Sequence, residues 1–258
     1  MAVWLAPLVI LILWQLVVPL SDPRRVLPTP LGVLRGSLEL LADGRLLRAL
    51  LASGLHIVAG FGLAAMLGIG LGTLAGSRPA ADEWMRPIIE TFRPIAPYAW
   101  VPMAILWLGF GSRAVIAIVT YAAFFPIFVN TTEAVRRVPR ALVLAAHTLG
   151  ASHGTIFREV MVPGAMPLIF VGLRLGMGAA WISVIAGELA SATSAIDQSL
   201  WNGIGQMMFV FYSYSINLNY IVVGMISVGI VALALDGGLR ALERILVPWH
   251  RPAQDGRR

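Results

Sequence analysis

Few side chains in this sequence could make or break covalent bonds. The 258 residues include no cysteine, which excludes disulfides, thiol nucleophiles and Cys-based metal sites. They include no lysine either, so the lysine of a Walker phosphate loop is missing and the chain is expected to bind no nucleotide itself. His56, His147, His153 and His250 are scattered, and His147 and His153 stand six apart, off a single helical face, so metal ligation is not expected. No Ser/His/Asp grouping is expected to assemble, and Glu159 beside Arg158 reads as a solvated or partner-facing pair. The run Gly68-Ile69-Gly70-Leu71-Gly72 lacks the strand before it and the exposed helix start after it that a dinucleotide loop requires. The residues that remain of interest are Arg174 and Glu188, together with a polar stretch from Arg140 to Pro167.

What positions them is a membrane protein. With 58% hydrophobic and 12% charged residues and a mean hydropathy of +0.82, the chain is too apolar for a soluble domain of this length. The net charge of +6 belongs to loops beside a membrane and not to a nucleic-acid-binding domain. Six segments are long and apolar enough to span as helices: residues 2–20, 50–75, 88–110, 114–130, 167–190 and 218–239. The first lacks a basic leader and a small-residue cleavage site and is expected to stay as an uncleaved span. The fold class is therefore an all-α membrane protein of six transmembrane helices. Residues 1–48 hold the first helix and an outer loop, residues 49–250 the core with a loop at about 131–164, and residues 251–258 a cytoplasmic tail.

With both termini inside, twelve arginines fall in cytoplasmic segments and six in outer loops, the orientation that basic loops favour. The first outer loop holds five of those six, and its Leu34, Leu38 and Leu41 beside Arg35 and Glu39 form a weakly amphipathic surface helix.

Within the spans, Gly60, Gly68, Gly72 and Gly76 form a small-residue face for close helix approach. The segment Arg93 to Pro102 carries Pro94, Pro97 and Pro102 around Trp100. Each proline removes a backbone donor, so this backbone must lie against protein or a water-filled cavity, as a kinked helix end or as a lining of the translocation path. A central Arg or carboxylate costs about 2.5 to 3.5 kcal/mol on insertion scales. Arg174 and Glu188 are about 21 Å apart along one helix, too far for a direct pair. Arg174 is placed near the cytoplasmic end and Glu188 near the outer end, where each either bonds neighbouring helices or gates the path.

The stretch RALVLAAHTLGASHGTIFREVMVPGAMP from Arg140 interrupts the apolar spans. Leu142, Ala145, Ala146 and Leu149 recur at helical spacing, Gly150 permits a turn, and Ile156, Phe157 and Val160 begin a second short stretch that Pro163 is expected to stop. Two short helices joined by a glycine elbow would make an exposed, rigid knob with an apolar face.

Ala145-Ala146, Gly150, then Val160, Val162 and Pro163 resemble the EAA loop of permease subunits of bacterial ABC importers. The segments ETFRPIAPYAWVPMAILWLGFG from Glu90, LGASHGTIFREVMVPGAMP from Leu149, GLRLGMGAAW from Gly172 and VPWH from Val247 resemble the taurine, alkanesulfonate, nitrate and bicarbonate group, over about residues 50–250. That resemblance implies the type I importer transmembrane fold with cytoplasmic EAA coupling helices, in a multi-pass protein of the bacterial inner membrane. It implies a homodimer, a cytosolic ABC ATPase dimer that binds ATP and Mg and docks at Leu144, Ala145, Ala146, Gly150, Val160, Val162 and Pro163, and a periplasmic or lipid-anchored solute-binding protein. Pro97, Trp100, Pro102, Arg174 and Glu188 would line or gate the path. The family's Glu at the head of the motif is Leu144 here, so docking should rely on apolar fit. The expected cargo is a small anion of the sulfonate, taurine, nitrate or bicarbonate type. A thiamine precursor or aromatic acid is the alternative, and a secondary transporter or channel a remoter one.

Overall fold

A computed structural model describes residues 9–10, 12–18, 27–191, 203–215 and 217–249, and every regular element among them is helical. Residues 9–10 and 12–18 of the first predicted span are helical; the rest of that span and the 251–258 tail lie outside the described residues. Nine helices follow: α1 (Pro30–Ala42), α2 (Arg45–Ser77), α3 (Pro79–Phe92), α4 (Val101–Leu108), α5 (Ser112–Arg136), α6 (Arg140–Thr148), α7 (His153–Ser191), α8 (Ile204–Val210) and α9 (Leu218–Leu246). Among the described residues, α2, α5, α7 and α9 are long and apolar enough to cross a membrane.

The core is a three-helix stack with α5 in the middle, and small residues set its spacing. A Cβ added at Gly60, Gly68, Gly72 or Gly76 of α2 would come within 2.6–2.8 Å of α5 atoms, on Val119, Ile127, the Phe128 carbonyl and Val135. On the other side, Gly172 and Gly176 of α7 press against Asn130 and Ile127 of the same helix. Apolar side chains gain little from leaving lipid for protein, so close backbone approach and the dispersion it brings hold such helices together. Val115, Val119, Ala123 and Ile127 are accordingly sealed in the main core with Ile57, Ala64, Ala180 and Val184.

Two sequence expectations need correction. The predicted third span, 88–110, is a broken segment in which α3 ends at Phe92, a 3-10 turn covers Pro97–Trp100, and α4 runs only to Leu108. Pro94 and Pro97 cannot continue the ladder, and the carbonyls left behind are met from α5. The Tyr121 hydroxyl donates to the Phe92 carbonyl at 2.6 Å and lies 3.2 Å from that of Ile95. Helix α1 forms over the amphipathic stretch, with Leu34, Leu38 and Leu41 exposed and Val33, Gly36 and Leu40 buried. That burial follows from docking on α9, where Tyr220 donates to Glu39 at 2.6 Å and Asn219 accepts from the Thr29 N–H at 3.3 Å.

Pro163, finally, does not stop a helix, because α7 runs through it to Ser191. A single wide turn over Phe157–Met161, where the Val162 N–H bonds the Phe157 carbonyl five residues back, makes room for the proline ring that a regular turn would push into the Glu159 carbonyl.

Candidate functional site

The polar stretch folds as a knob between α5 and α7. Helix α6 is closed by Gly150, whose φ of +79° is the left-handed conformation that suits glycine. The Ala151 N–H bonds the Ala146 carbonyl and the Gly150 N–H that of His147, both at 3.0 Å, the bond pair of a Schellman cap. Two residues on, the Ser152 hydroxyl accepts from the Thr155 N–H at 3.2 Å and starts α7. The elbow expected at Gly150 is therefore a doubly bonded turn with a capped helix on each side.

The knob presents apolar surface and roots itself in the core. Leu142, Leu144 and Leu149 are 55%, 65% and 88% exposed, Ala145 is exposed, and Ala146 half-buried. Half-buried Val160, Val162 and Pro163 lie at its base, where Val143, Val160 and Met161 pack against the main core. Between knob and spans runs a cleft of about 760 Å³ lined by Asp82, Arg136, Arg140 and Leu144 among others. Its wall is braced by Asp82, which pairs with Arg136 of α5 at 2.7 Å and with Arg86 at 3.1 Å. The hydrogen bond from Arg136, aided by both guanidinium charges and opposed by burial, holds the Asp82 carboxyl below its ordinary value. His147 and His153, expected to stand apart, face one another across the elbow with ring centroids 5.0 Å apart. No third His, Cys, Asp or Glu joins them as a metal-holding group among the described residues.

At the opposite end of the bundle, a polar grouping that was not expected does assemble. Glu188 is 2% exposed, as is His56, and Ser53 is fully buried. The Ser53 hydroxyl lies 2.8 and 2.9 Å from the two Glu188 oxygens, and His56 Nδ1 lies 2.9 Å from Oε1. The Gly205 N–H donates to Oε2 at 2.9 Å. At that distance one proton lies between Nδ1 and Oε1. His56 Nε2 reaches the Ser112 hydroxyl at 3.0 Å, so carboxylate, imidazole and hydroxyl form a chain from α7 through α2 to the start of α5. The earlier expectation that no such grouping forms is overturned. Ser53 and His56 share one face of α2, but Ser112 lies 56 positions from His56 and Glu188 lies 132, and only the close packing of α2 and α7 on α5 brings them together.

The remaining expected residues divide. Arg174 is 3.5 Å from Glu243 of α9, an ion pair between two helices. Trp100 lies between Phe92 and Tyr121, tilted to both, with ring centroids 6.1 and 5.6 Å away. Pro97 is half-buried and Pro102 exposed at the start of α4. Arg174 and Glu188 stand 14 positions apart on α7, and Ala190 of the same helix packs with Val101 and Ala104 beside the proline segment.

Comparison with known proteins gives a consistent result. The family model for binding-protein-dependent transport system inner membrane components matches residues 68–248. The chain is 33% identical to the taurine transport system permease protein of Escherichia coli (strain K12), over 93% of this chain and 84% of that protein. It is 32% identical to the nitrate import permease protein of Synechocystis sp., over 93% and 86%. To the bicarbonate transport system permease protein of the same organism it is 34% identical, over 77% and 68%. Among solved structures, a chain of the MetNI methionine ABC transporter in an inward-facing conformation aligns with a TM-score of 0.62 at 19% identity, covering 78% of this chain and 95% of that one.

Proposed function

The chain belongs to the binding-protein-dependent transport system inner membrane components, with the transmembrane fold of a type I ABC importer, and from this we propose that it forms the path of an ATP-driven importer for a small anion. Two copies face one another across that path. Each knob seats in one subunit of a cytosolic ATPase pair, which holds the ATP and Mg, and a periplasmic or lipid-anchored binding protein delivers the solute at the opposite end. The membrane is then the bacterial inner membrane, and nucleic acid plays no part.

The observation that carries this reading is the knob. Its exposed Leu142, Leu144 and Leu149 offer an apolar docking face, and Leu144 supplies area where a carboxylate would supply charge. Its two capped helices and core-packed base give it the stiffness to pass on a push. Inverting a 1:99 population of path conformations takes about 5.5 kcal/mol of differential stabilisation, which a lever that bends at its elbow would dissipate. Closing the ATPase pair draws the two knobs together and favours the outward-open arrangement.

The taurine, nitrate and bicarbonate relatives favour an anion of that size as cargo. The test is to reconstitute the permease with its cognate ATPase and binding protein in liposomes, and to titrate the binding protein calorimetrically against taurine, an alkanesulfonate, nitrate and bicarbonate. ATP-dependent uptake of one of these is expected. Uptake without ATP, or tight retention of a sugar or a cation, would overturn the reading.

A further inference from the structure

Helix α8 is a short buried element packed into a second apolar cluster with Val33, Leu40, Leu46, Ala49 and Val223, to which it contributes Ile204 and Met207. That cluster joins α1, the start of α2 and the start of α9, and it lies at the far end from the knob. Two polar grips hold the start of α8. The Gly205 N–H donates directly to Glu188 Oε2, and the Ile204 N–H donates to the Ser53 hydroxyl at 2.9 Å, which itself donates to Glu188. The approach is so close that a Cβ at Gly203 would land on the Glu188 carboxylate. A Cβ at Gly205 would come 2.9 Å from that of Glu188.

We propose that Glu188 is a positioning residue for transport, a latch that holds α8 closed across the far end of the path and lets it go when that end opens. The proposal rests on the importer reading for its direction, since it takes the far end to be the outside. Three features suit a latch better than a permanent joint. A buried carboxylate gripped from two other helices, by Ser53 and His56 of α2 and the Gly205 N–H of α8, makes strong bonds whose loss has a large effect. Gln206, on the same helix, is 7% exposed and its amide nitrogen has no partner among the described residues, so the closed seat leaves a polar group unmet. The π turn Phe211–Ser215 that follows α8 is of a kind frequent at functional sites. His56, backed by Ser112, orients the carboxylate from the side away from α8.

The absence of native cysteine makes a background-free test possible. Met207→Cys places a thiol on the buried face of α8, and Ala123→Cys places one in the main core. Each is exposed to a membrane-impermeant maleimide from outside, in the permease alone and in the complex with ATPase. With Glu188 intact, Met207→Cys should label slowly. Adding Glu188→Gln, which replaces one of the two acceptor oxygens by a donor NH2, should raise its rate at least roughly tenfold, the scale of losing charge-assisted bonds. Gly203→Ala, which displaces the carboxylate and keeps its charge, should do the same, and Ser53→Ala should do so more weakly. Ala123→Cys should remain unlabelled throughout. In the complex with Glu188 intact, ATP and loaded binding protein should accelerate labelling of Met207→Cys. The latch is overturned if none of the three changes moves the rate in folded protein, if Ala123→Cys labels in parallel, or if the complete complex shows no acceleration. Labelling of the permease alone needs neither ATP nor cargo, so it separates failure of the latch from failure of the importer reading.

Discussion

Replacing Gly150 by valine isolates the elbow of the knob. No atom lies within 4 Å of the position a Cβ would take there, so the substitution meets no steric obstacle and its whole effect comes from φ of +79°. An L residue held in that region costs about 1–2 kcal/mol, and a β-branched one more. At about 1.4 kcal/mol per tenfold change, the native elbow loses roughly five- to thirtyfold in population relative to any relaxed alternative. A relaxed elbow forfeits the Ala151–Ala146 and Gly150–His147 bonds, and a nine-residue α6 is too short to hold its direction alone. The expected outcome is normal insertion and assembly, with binding-protein-stimulated ATP hydrolysis and uptake both reduced in the order Gly, Asn, Ala, Val, since asparagine tolerates the left-handed region best after glycine. Gly154→Ala, which lacks a positive φ and has only the Ser152 hydroxyl near its Cβ, serves as the neutral control. Coupled uptake by the valine variant at the native rate would refute the claim that elbow rigidity transmits the stroke.

Two further outcomes follow from the packing around that lever. Asp82→Asn should lower thermal stability in detergent by about 1 kcal/mol. Because the native Asp82 value lies below the ordinary one, the pair's contribution is complete above the unfolded value near 4 and is lost as pH falls through the lowered native value; melting profiles of the parent should therefore show an acid loss that the variant lacks, and identical slopes would count against the pairing. Tyr121→Phe leaves the Phe92 and Ile95 carbonyls without their donor and should cost about 1–3 kcal/mol, read as a fall in melting temperature with increased proteolysis of the 93–100 segment.

Local chemistry was the legible part of this protein. Gly60, Gly68, Gly72 and Gly76 announce a contact face by their spacing, and that face does meet α5. Gly150 announces a turn, and the turn has the one φ that makes glycine necessary. Long-range polar chemistry was illegible, because Ser53 and His56 share a helix face but carry no spacing signal toward Ser112 or Glu188, and a histidine in an apolar run looks the same whether or not a carboxylate waits on another helix. Proline was legible only in part. Pro94 and Pro97 break their segment as their missing donors require, whereas Pro163 is absorbed by one widened turn, and nothing in its own neighbourhood indicates which outcome will occur.

Helix α7 begins at His153 in the knob and continues for 39 residues to Ser191, a strut of roughly 58 Å at 1.5 Å per residue. The knob end and the Glu188 end are thus written on one screw thread. Each residue turns that thread by about 100°, so adding a single residue in the middle of α7 would leave both ends chemically intact and point them in unrelated directions. The helix fixes azimuth as well as distance, and the two ends are kept in phase by residue count alone.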